Sequence, residues 1–440
     1  MLSGPTQSLP IAHRRGACPT LRAPMQTGDG LLARLRPVGA AITPAQLQSI
    51  AALATQSGNG LLEITARGNL QIRGLRPDTV PAFADAVETV ITIETGPPIE
   101  TPPLAGLDPN ELADPRPIAE TIRQGLAESP LSAALGPKVT VIVDGGGTLD
   151  RLAADIRLRA TATDAWTIAT GRNVLGTLAT AAAAPAVLTL LQMIVALGPA
   201  GRGRDLDPAA ARQRLALGPA TTPDPVPSAS SPAPIALRDG TIAAPIALPF
   251  GAASASTLIA LATAVQAIGI AQFRLAPQHG LIAFCANETI AAQFQSTATA
   301  LGFVTTATDP RRAIRACIGN VGCASGLLPA RHLADALAQA EPGFFDSSFT
   351  LHVSGCAKGC AHPGPALLTL TANSAGAGLI IDGTAGAEPA LQLAPDALPR
   401  AIGRLANLWR DEATLEESVA SCFKRLGAAA IVAAVRQGQL

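Results

Sequence analysis

The stretch ITPAQLQSIAALATQSGNGLLEITARGNLQIRGL, residues 42–75, changes its apolar period partway along. Apolar residues between Leu47 and Ala54 recur at helical spacing behind a Thr43-Pro44 pair, which is a helix start signal. From residue 61 onward the pattern alternates like two strands with a turn near Gly68. The stretch therefore predicts a helix followed by a β-hairpin.

The same pattern returns once in the second half of the chain. SASTLIALATAVQAIG, residues 254–269, repeats the helix, and IAQFRLAPQHGLIAFCAN, residues 270–287, repeats the paired strands with a turn around Gln278 to Gly280. A longer segment of mixed helical and strand character follows each copy. Two similar units this far apart indicate an internal duplication.

A segment rich in Pro, Ser and Thr separates the two copies. GPATTPDPVPSASSPAP, residues 218–234, has no apolar period and is typical of an extended linker. A chain of 440 residues is also long for a single core. The predicted domains are residues 11–100, 101–217, 235–309 and 310–440.

Composition limits the class of protein. The 32 basic and 32 acidic residues balance to zero net charge, which argues against nucleic acid or an anionic membrane as a partner. Leu178–Ala200 is long and apolar, but Pro185 interrupts it, so we expect a buried helix rather than a membrane span. The first residues lack the layout of a secretory signal, and seven cysteines fit a disulfide scaffold poorly, so we expect a reducing cytoplasm.

Four cysteines form two pairs in the last third of the chain. Cys317 and Cys323 lie in ACIGNVGC, and Cys356 and Cys360 lie in SGCAKGC, with glycines around each pair. Zinc sites usually place two to four residues between paired cysteines, and the gap of five in the first pair falls outside that range. The spacing favours an iron–sulfur cluster over zinc or unligated thiols. The other cysteines, Cys18, Cys285 and Cys422, are each interpreted as core residues.

The segments KVTVIVDGGGTLD, residues 138–150, and ADIRLRA, residues 154–160, alternate like two strands. We predict a hairpin turning at Asp144-Gly145-Gly146-Gly147. Neither a G-x-G-x-x-G motif nor a P-loop is present, so no nucleotide site is predicted. Electrons for any redox reaction would then come from an external donor or by another route.

The cysteine motifs C-x5-C and C-x3-C, together with the duplicated units, resemble the siroheme-type nitrite and sulfite reductase family over nearly the whole chain. The resemblance implies an α+β architecture with two ferredoxin-like half-domains and two α/β domains related by pseudo-two-fold symmetry. It also implies that four cysteines, Cys317, Cys323, Cys356 and Cys360, bind a 4Fe-4S cluster. The last of them would bridge to siroheme iron.

TARGNLQIRGL, residues 65–75, is similar to the family segment whose first arginine faces the substrate and the macrocycle. That arginine maps to Arg67. On a strand, alternate positions share a face, so Arg67, Asn69, Gln71 and Arg73 would form a polar row suited to tetrapyrrole carboxylates or an oxyanion. Periodicity alone is equally compatible with a solvated strand face.

LGPKVTVIVDGGG resembles the family segment that presents two lysines to the substrate. Only Lys138 is present, because Thr140 occupies the companion position, and the family's anion-binding arginine is replaced by residues 104–109. Arg172, in GRNVLGT, is interpreted as a turn residue and not as that arginine. The predicted catalytic residues are Arg67 and Lys138, and the predicted substrate-binding residues are Arg67, Asn69, Gln71, Arg73 and Lys138.

The companion lysine and the anion-binding arginine are both missing. With the segment RRGACPTLRAPMQTGDGLLARL at residues 14–35, this makes the chain resemble one branch of the family, the precorrin-3B synthases of aerobic cobalamin biosynthesis. In that branch the macrocycle is the substrate. The resemblance implies an oxygen-dependent hydroxylation of precorrin-3A with lactone formation, using dioxygen and an external electron donor. It also implies a mononuclear non-haem iron, whose ligands we do not assign among His13, His279, His332, His352 and His362.

Two other functions stay open from the sequence. A siroheme-dependent nitrite or sulfite reductase would keep the cluster and carry out a different reaction. A non-enzymatic 4Fe-4S electron carrier would keep the cysteines but would not need the polar row. Lys358, between Cys356 and Cys360, either places positive charge near the cluster and raises its potential or points to solvent.

Overall fold

A computed structural model describes residues 18–218 and 233–436. His13 and most of the predicted linker, residues 219–232, lie outside these ranges. Within them the strands form four five-stranded sheets. Two sheets belong to the half-domains, and each of the other two belongs to one α/β domain.

The first half-domain has a four-stranded antiparallel sheet of its own with two helices. Thr43 caps the first helix: its side-chain oxygen accepts the backbone N–H of Gln46, and the Gln46 side chain accepts the Thr43 N–H. The predicted helix and hairpin are therefore confirmed. The elements are β1 (Met25–Thr27), β2 (Gly30–Leu35), β3 (Ala41–Ile42), α1 (Pro44–Ser57), β4 (Leu61–Ile64), β5 (Leu70–Leu75) and α2 (Val80–Val90).

The first α/β domain contains a mixed sheet in the order β10-β9-β8-β7-β6. Its first three strands in chain order run parallel and the last two are antiparallel. The elements are β6 (Ile99–Glu100), α3 (Arg116–Ala127), α4 (Leu131–Ala134), β7 (Val141–Asp144), β8 (Ile156–Ala162), β9 (Ala165–Thr170), β10 (Asn173–Leu178), α5 (Thr180–Ala196) and α6 (Pro208–Arg214).

The predicted hairpin at Asp144 is wrong, because β7 and β8 are parallel, with Val141 opposite Ile156. The buried Asp144 carboxylate accepts the backbone N–H groups of Gly146, Gly147, Thr148 and Leu149 at 2.6–3.2 Å. These bonds fold the glycine-rich segment into a compact loop. The chain then runs back to the start of β8, which it enters in the same direction as β7.

The prediction that Pro185 interrupts the apolar stretch is also wrong. Pro185 lies inside α5, whose buried face includes Val187, Leu190 and Ile194. An internal proline costs about 3 kcal/mol, and burial of several large apolar side chains at roughly 1.5–3 kcal/mol each outweighs that cost. Across residues 18–218 and 233–436, no helix combines the length and apolar character needed to cross a membrane.

The second half-domain repeats the first and exchanges a strand with it. β13 pairs with β4 of the first half-domain, and β3 pairs with β14 of the second, so each sheet has one strand from the other unit. Helices from both units pack into one continuous core. The elements are β11 (Ile235–Ala236), β12 (Ile242–Ala247), β13 (Ala252–Ser254), α7 (Ala255–Ala267), β14 (Phe273–Ala276), β15 (Gly280–Cys285) and α8 (Glu288–Ala300).

The second α/β domain has the strand order β16-β17-β18-β19-β20, which reproduces the order and strand directions of the first. The predicted duplicated α+β architecture is therefore confirmed. The elements are β16 (Ile314–Ala316), α9 (Ala330–Ala340), β17 (Leu351–Ser354), β18 (Ala366–Asn373), β19 (Gly376–Gly383), β20 (Leu391–Leu393), α10 (Leu398–Glu412) and α11 (Val419–Arg436).

Candidate active site

The four paired cysteines lie on two loops at one edge of the second α/β sheet. Cys317 directly follows β16, and Cys356 lies just beyond the end of β17. Because β16 and β17 are parallel neighbours, their carboxyl ends meet at the same edge. We call residues 317–327 the first cysteine loop and residues 355–360 the second cysteine loop.

The two cysteine loops are in direct contact. The backbone N–H of Gly355 donates to Cys317 Sγ at 3.2 Å. Partial desolvation raises the pKa of the Cys360 thiol, and the nearby Cys356, Cys317 and Cys323 raise it further. All four are free thiols. The fold thus brings the four cysteines predicted as cluster ligands to one place.

Glycines let the two cysteine loops pack backbone against backbone. A Cβ added at Gly355 would lie 3.1 Å from Gly319 Cα and 3.3 Å from Gly326 Cα. A Cβ added at Gly326 would lie only 2.4 Å from the Gly319 carbonyl carbon. Lys358 Nζ donates to Ser325 Oγ at 2.8 Å and so ties the second cysteine loop to the first. Small residues at these positions are a steric requirement of the site.

The thiols suit a cluster better than a single ion. In the two ranges that the structure describes, no three His, Cys, Asp or Glu side chains converge closely enough to hold one metal ion. The implied mononuclear non-haem iron therefore has no candidate ligand set there. A 4Fe-4S cluster attaches each thiolate to a different iron, so its four ligands stand further apart. The glycine-lined loops and the N–H donor to sulfur fit such a cluster.

A cavity of about 1790 Å³ lies between the first half-domain and the first α/β domain. Arg67, Asn69 and Lys138, all predicted from the sequence, line it. Its basic residues outnumber its acidic ones, which favours an anionic ligand. The basic residues are Arg22, Arg34, Arg36, Arg67, Lys138, Arg151, Arg157, Arg159, Arg172, Arg202 and Arg204; the acidic residues are Glu88, Glu94, Glu100, Asp150 and Asp155.

Arg67 connects the two walls of this cavity. It lies in the turn before β5, and its guanidinium pairs with Glu100 on β6 through Nε–Oε1 at 2.8 Å and Nη2–Oε2 at 2.5 Å. Its Nη1 donates to the carbonyl oxygen of Ala153 at 2.8 Å. A ligand carboxylate that takes the guanidinium fork must therefore displace Glu100.

The other half of the predicted polar row does not reach the cavity. Gln71 and Arg73 are only 8% and 5% exposed and are absent from the cavity wall. The prediction that they contact substrate has no support here, because β5 is a central strand and the second α/β domain covers this end of it. Arg73 donates to the carbonyl oxygen of Gly322, in the first cysteine loop, at 2.7 Å.

Lys138 is exposed on the segment before β7, and two residues missed by the sequence reasoning fix its backbone. Arg202 donates to the Lys138 carbonyl oxygen at 3.1 Å and pairs with Asp155 at 2.8 and 2.9 Å. The Asp155 carboxylate also accepts the Thr140 N–H at 3.0 Å. Nothing in the local pattern indicates this clamp, since its members are far apart in sequence.

Further arginines of the cavity wall come from the first α/β domain. Arg157 and Arg159 lie on β8, and the alternation in ADIRLRA was an available signal that they share a face. Arg172 lies in the turn between β9 and β10, as predicted, but it also lines the cavity. Its turn position therefore does not exclude Arg172 from the candidate site.

Known proteins agree with this architecture. The family model described as the nitrite/sulfite reductase ferredoxin-like half domain matches residues 23–90. The structure of the Mycobacterium tuberculosis NirA protein matches with a TM-score of 0.71 at 18% identity, covering 91% of this chain and 84% of that chain. The fold is thus that of the nitrite/sulfite reductase class, and the predicted fold class is confirmed.

Sequence similarity narrows the class further. Precorrin-3B synthase of a Sinorhizobium species is 41% identical to this chain over 437 residues, which is 97% of this chain and 95% of that protein. The chain belongs to the precorrin-3B synthase family. The branch that the sequence resembled is thereby confirmed.

Proposed function

We propose that the protein is an oxygen-dependent monooxygenase that converts precorrin-3A to precorrin-3B. The observation that carries the proposal is the arginine-rich cavity in a member of this family. Its volume of about 1790 Å³ exceeds the 300–1,000 Å³ of ordinary small-molecule pockets and suits a macrocycle. The excess of guanidinium groups on its wall suits the many carboxylates of a corrin precursor.

The proposed reaction balances as a monooxygenation. One oxygen atom of dioxygen enters the ring as a hydroxyl group, and a ring acetate closes a lactone. The other oxygen atom leaves as water, after uptake of two electrons and two protons. We expect an external donor to supply the electrons, in the cytoplasm, without nucleic acid or a membrane as a partner.

The chain's own residues bind and orient the macrocycle in this proposal. Arg67 exchanges Glu100 for a substrate carboxylate, because a guanidinium fork matches a carboxylate in two hydrogen bonds. Lys138 adds a mobile point charge at the rim, on a backbone held by Arg202. Asn69 supplies a neutral hydrogen-bonding side chain beside Arg67. We assign these residues to substrate binding and orientation.

We also propose that Cys317, Cys323, Cys356 and Cys360 hold a 4Fe-4S cluster. Such a cluster, when bound, supplies one-electron transfer between the donor and the reaction site. The Gly355 N–H, which lies 3.2 Å from Cys317 Sγ, stabilises negative charge on that sulfur. Lys358 contributes by holding the two cysteine loops together through Ser325.

The test is single-turnover mass spectrometry. Protein reconstituted with iron and sulfide under anaerobic conditions is mixed with precorrin-3A, a reductant and labelled dioxygen. The expected product gains one labelled oxygen atom and forms a lactone. A tetrapyrrole of unchanged mass would contradict the proposal, and tightly bound siroheme with its strong visible absorption in purified protein would favour a nitrite or sulfite reductase instead.

A further inference from the structure

A chain of buried polar side chains runs from the cavity wall to the first cysteine loop. Arg34, on β2 and in the cavity wall, donates to Gln71 Oε1 at 2.7 and 3.0 Å. Gln71 Nε2 donates to Glu63 Oε2 at 2.8 Å. Glu63 in turn pairs with Arg73 at 3.5 Å, and Arg73 reaches the Gly322 carbonyl oxygen at 2.7 Å.

The buried charges around Glu63 and Arg73 balance. Arg73 forms two hydrogen bonds with Asp29, at 2.9 and 3.0 Å, and Arg331 on α9 pairs with Glu63 at 2.6 Å. Burial alone would raise the pKa of Glu63, but Arg331 and Arg73 lower it below its usual value. Two cations and two anions are thus held together in a water-poor environment, where removal of any one partner is costly.

Backbone contacts also join the first half-domain to the first cysteine loop. The Gly28 N–H donates to the Gly322 carbonyl oxygen at 3.2 Å, so this oxygen accepts from both Gly28 and Arg73. A Cβ at Gly28 would lie 2.5 Å from Ala324 N and 2.7 Å from the Cys323 carbonyl carbon. The turn before β2 therefore lies directly against the peptide that follows Cys323.

We propose that Arg73 is a positioning residue that fixes the Cys323 end of the first cysteine loop against the first half-domain, and that Gln71 links this clamp to the substrate cavity. The link to the substrate rests on the proposed function, whereas the clamp itself does not. Arg73 acts through the Gly322 carbonyl group and contacts neither substrate nor thiol. Its guanidinium geometry is essential, because it serves Asp29 and Gly322 together.

The test compares two charge-balanced double variants. R73Q/D29N removes the clamp and keeps the Glu63–Arg331 pair. R311Q/D309N is the matched control, since Arg311 also pairs with an aspartate through two nitrogens and donates to backbone carbonyl oxygens, those of Gly302 and Phe303, but away from the cysteine loops. Both variants are first checked for a cooperative unfolding transition.

Amide hydrogen exchange of the protein without iron provides the first measurement. In R73Q/D29N we expect exchange in the first cysteine loop to accelerate roughly tenfold or more relative to the control. Equal exchange in both variants would overturn the clamp. This result is independent of catalysis, so failure of the proposed function would leave it standing.

Spectroscopy after reconstitution provides the second measurement. We expect R73Q/D29N to show an altered cluster electron paramagnetic resonance signal and a shifted midpoint potential, with R73K intermediate because lysine keeps the charge but loses the fork. In Q71L we expect the wild-type signal in the absence of precorrin-3A and a smaller change on its addition. A Q71L response to precorrin-3A equal to that of wild type would overturn the link to the cavity.

Discussion

The two α/β domains share strand order and strand directions but use the same loop position differently. The loop after β7, residues 145–155, and the loop after β17, residues 355–365, connect equivalent pairs of parallel strands. In the first domain the loop is organised by the Asp144 carboxylate, which accepts four backbone N–H groups. In the second domain this loop carries Cys356 and Cys360.

The faces of the two sheets differ in the same way. Glu100, Ile142 and Arg157 are register partners across β6, β7 and β8, and Glu100 and Arg157 line the cavity. The corresponding partners on β16, β17 and β18 are Arg315, His352 and Thr369, of which His352 and Thr369 are fully buried. One copy of the duplicated domain contributes a cationic wall to the cavity, and the other carries the four thiols beside a covered sheet face.

The largest expected effect breaks the thiol site of the second α/β domain. C317S should lose the proposed cluster and with it nearly all monooxygenase activity, because a serine hydroxyl is a poor replacement for thiolate ligation. Iron and sulfide content after anaerobic reconstitution measures the loss. C285A, in a buried thiol remote from the loops, is the control and should keep full iron content. Equal iron in both variants would contradict the ligand assignment.

The next largest effect is expected from breaking the loop after β7, residues 145–155. D144A leaves four backbone N–H groups in a partly buried loop without their acceptor, and we expect a loss of about 3 kcal/mol in the free energy of unfolding. S354A, at the corresponding end of β17, removes one hydrogen bond to the Cys356 carbonyl oxygen and should cost about 1 kcal/mol. Urea denaturation measures both values. Similar losses would mean that the carboxylate does not organise its loop.

The buried histidine on β17 predicts that the free energy of unfolding depends on pH. His352 is fully buried with both ring nitrogens lacking a hydrogen-bond partner, and burial, with His362 nearby, lowers its pKa from 6.5 to about 4. The unfolded chain binds a proton below about pH 6.5 and the folded chain does not, so stability falls as pH drops from about 6.5 toward 4. We expect the fall to be about 2 kcal/mol after allowance for relaxation.

H352I places at this position the residue type that β7 carries at Ile142. Its free energy of unfolding should vary less than that of wild type between about pH 6.5 and 4, as measured by urea midpoints across that range. H332N is the control, since His332 is an exposed histidine on α9. Identical pH profiles for H352I and wild type would remove the buried imidazole as the cause.

The smallest effect sharpens the description of the cationic wall. R67A should weaken precorrin-3A binding by roughly tenfold, equivalent to about 1.4 kcal/mol, whereas E100Q should strengthen it a few-fold because the competing carboxylate is gone. Fluorescence or absorbance titration under anaerobic conditions gives both dissociation constants. Changes of the same sign in the two variants would show that the Arg67–Glu100 pair acts as a unit in holding the cavity walls together.

Local signals predicted much of the fold. The Thr43-Pro44 start and the alternation after it gave α1, β4 and β5, and their repetition indicated the duplication. The strand direction at Asp144 was missed, because a glycine-rich turn between two alternating segments looks the same whether the strands pair antiparallel or parallel. Only the carboxylate bonds to Gly146–Leu149 distinguish the two.

The candidate site likewise combines features that the sequence predicted with features that it did not. Cysteine spacing was sufficient to group four thiols, whereas alternation correctly placed only Gln71 and Arg73 on one strand, because Arg67 and Asn69 precede β5. Arg67 and Asn69 line the cavity, whereas Arg73 lies under the second α/β domain. Arg202 and Asp155 were missed because their contact joins segments far apart in sequence.

The amino-acid sequence by itself determined the duplicated units, the thiol pairs and the glycines that let their loops meet, since each of these depends on residue type and short-range spacing. Only the tertiary structure decided which polar residues face the cavity and which bind the cysteine loop. That choice depends on which domain covers each end of β5, and long-range packing sets it.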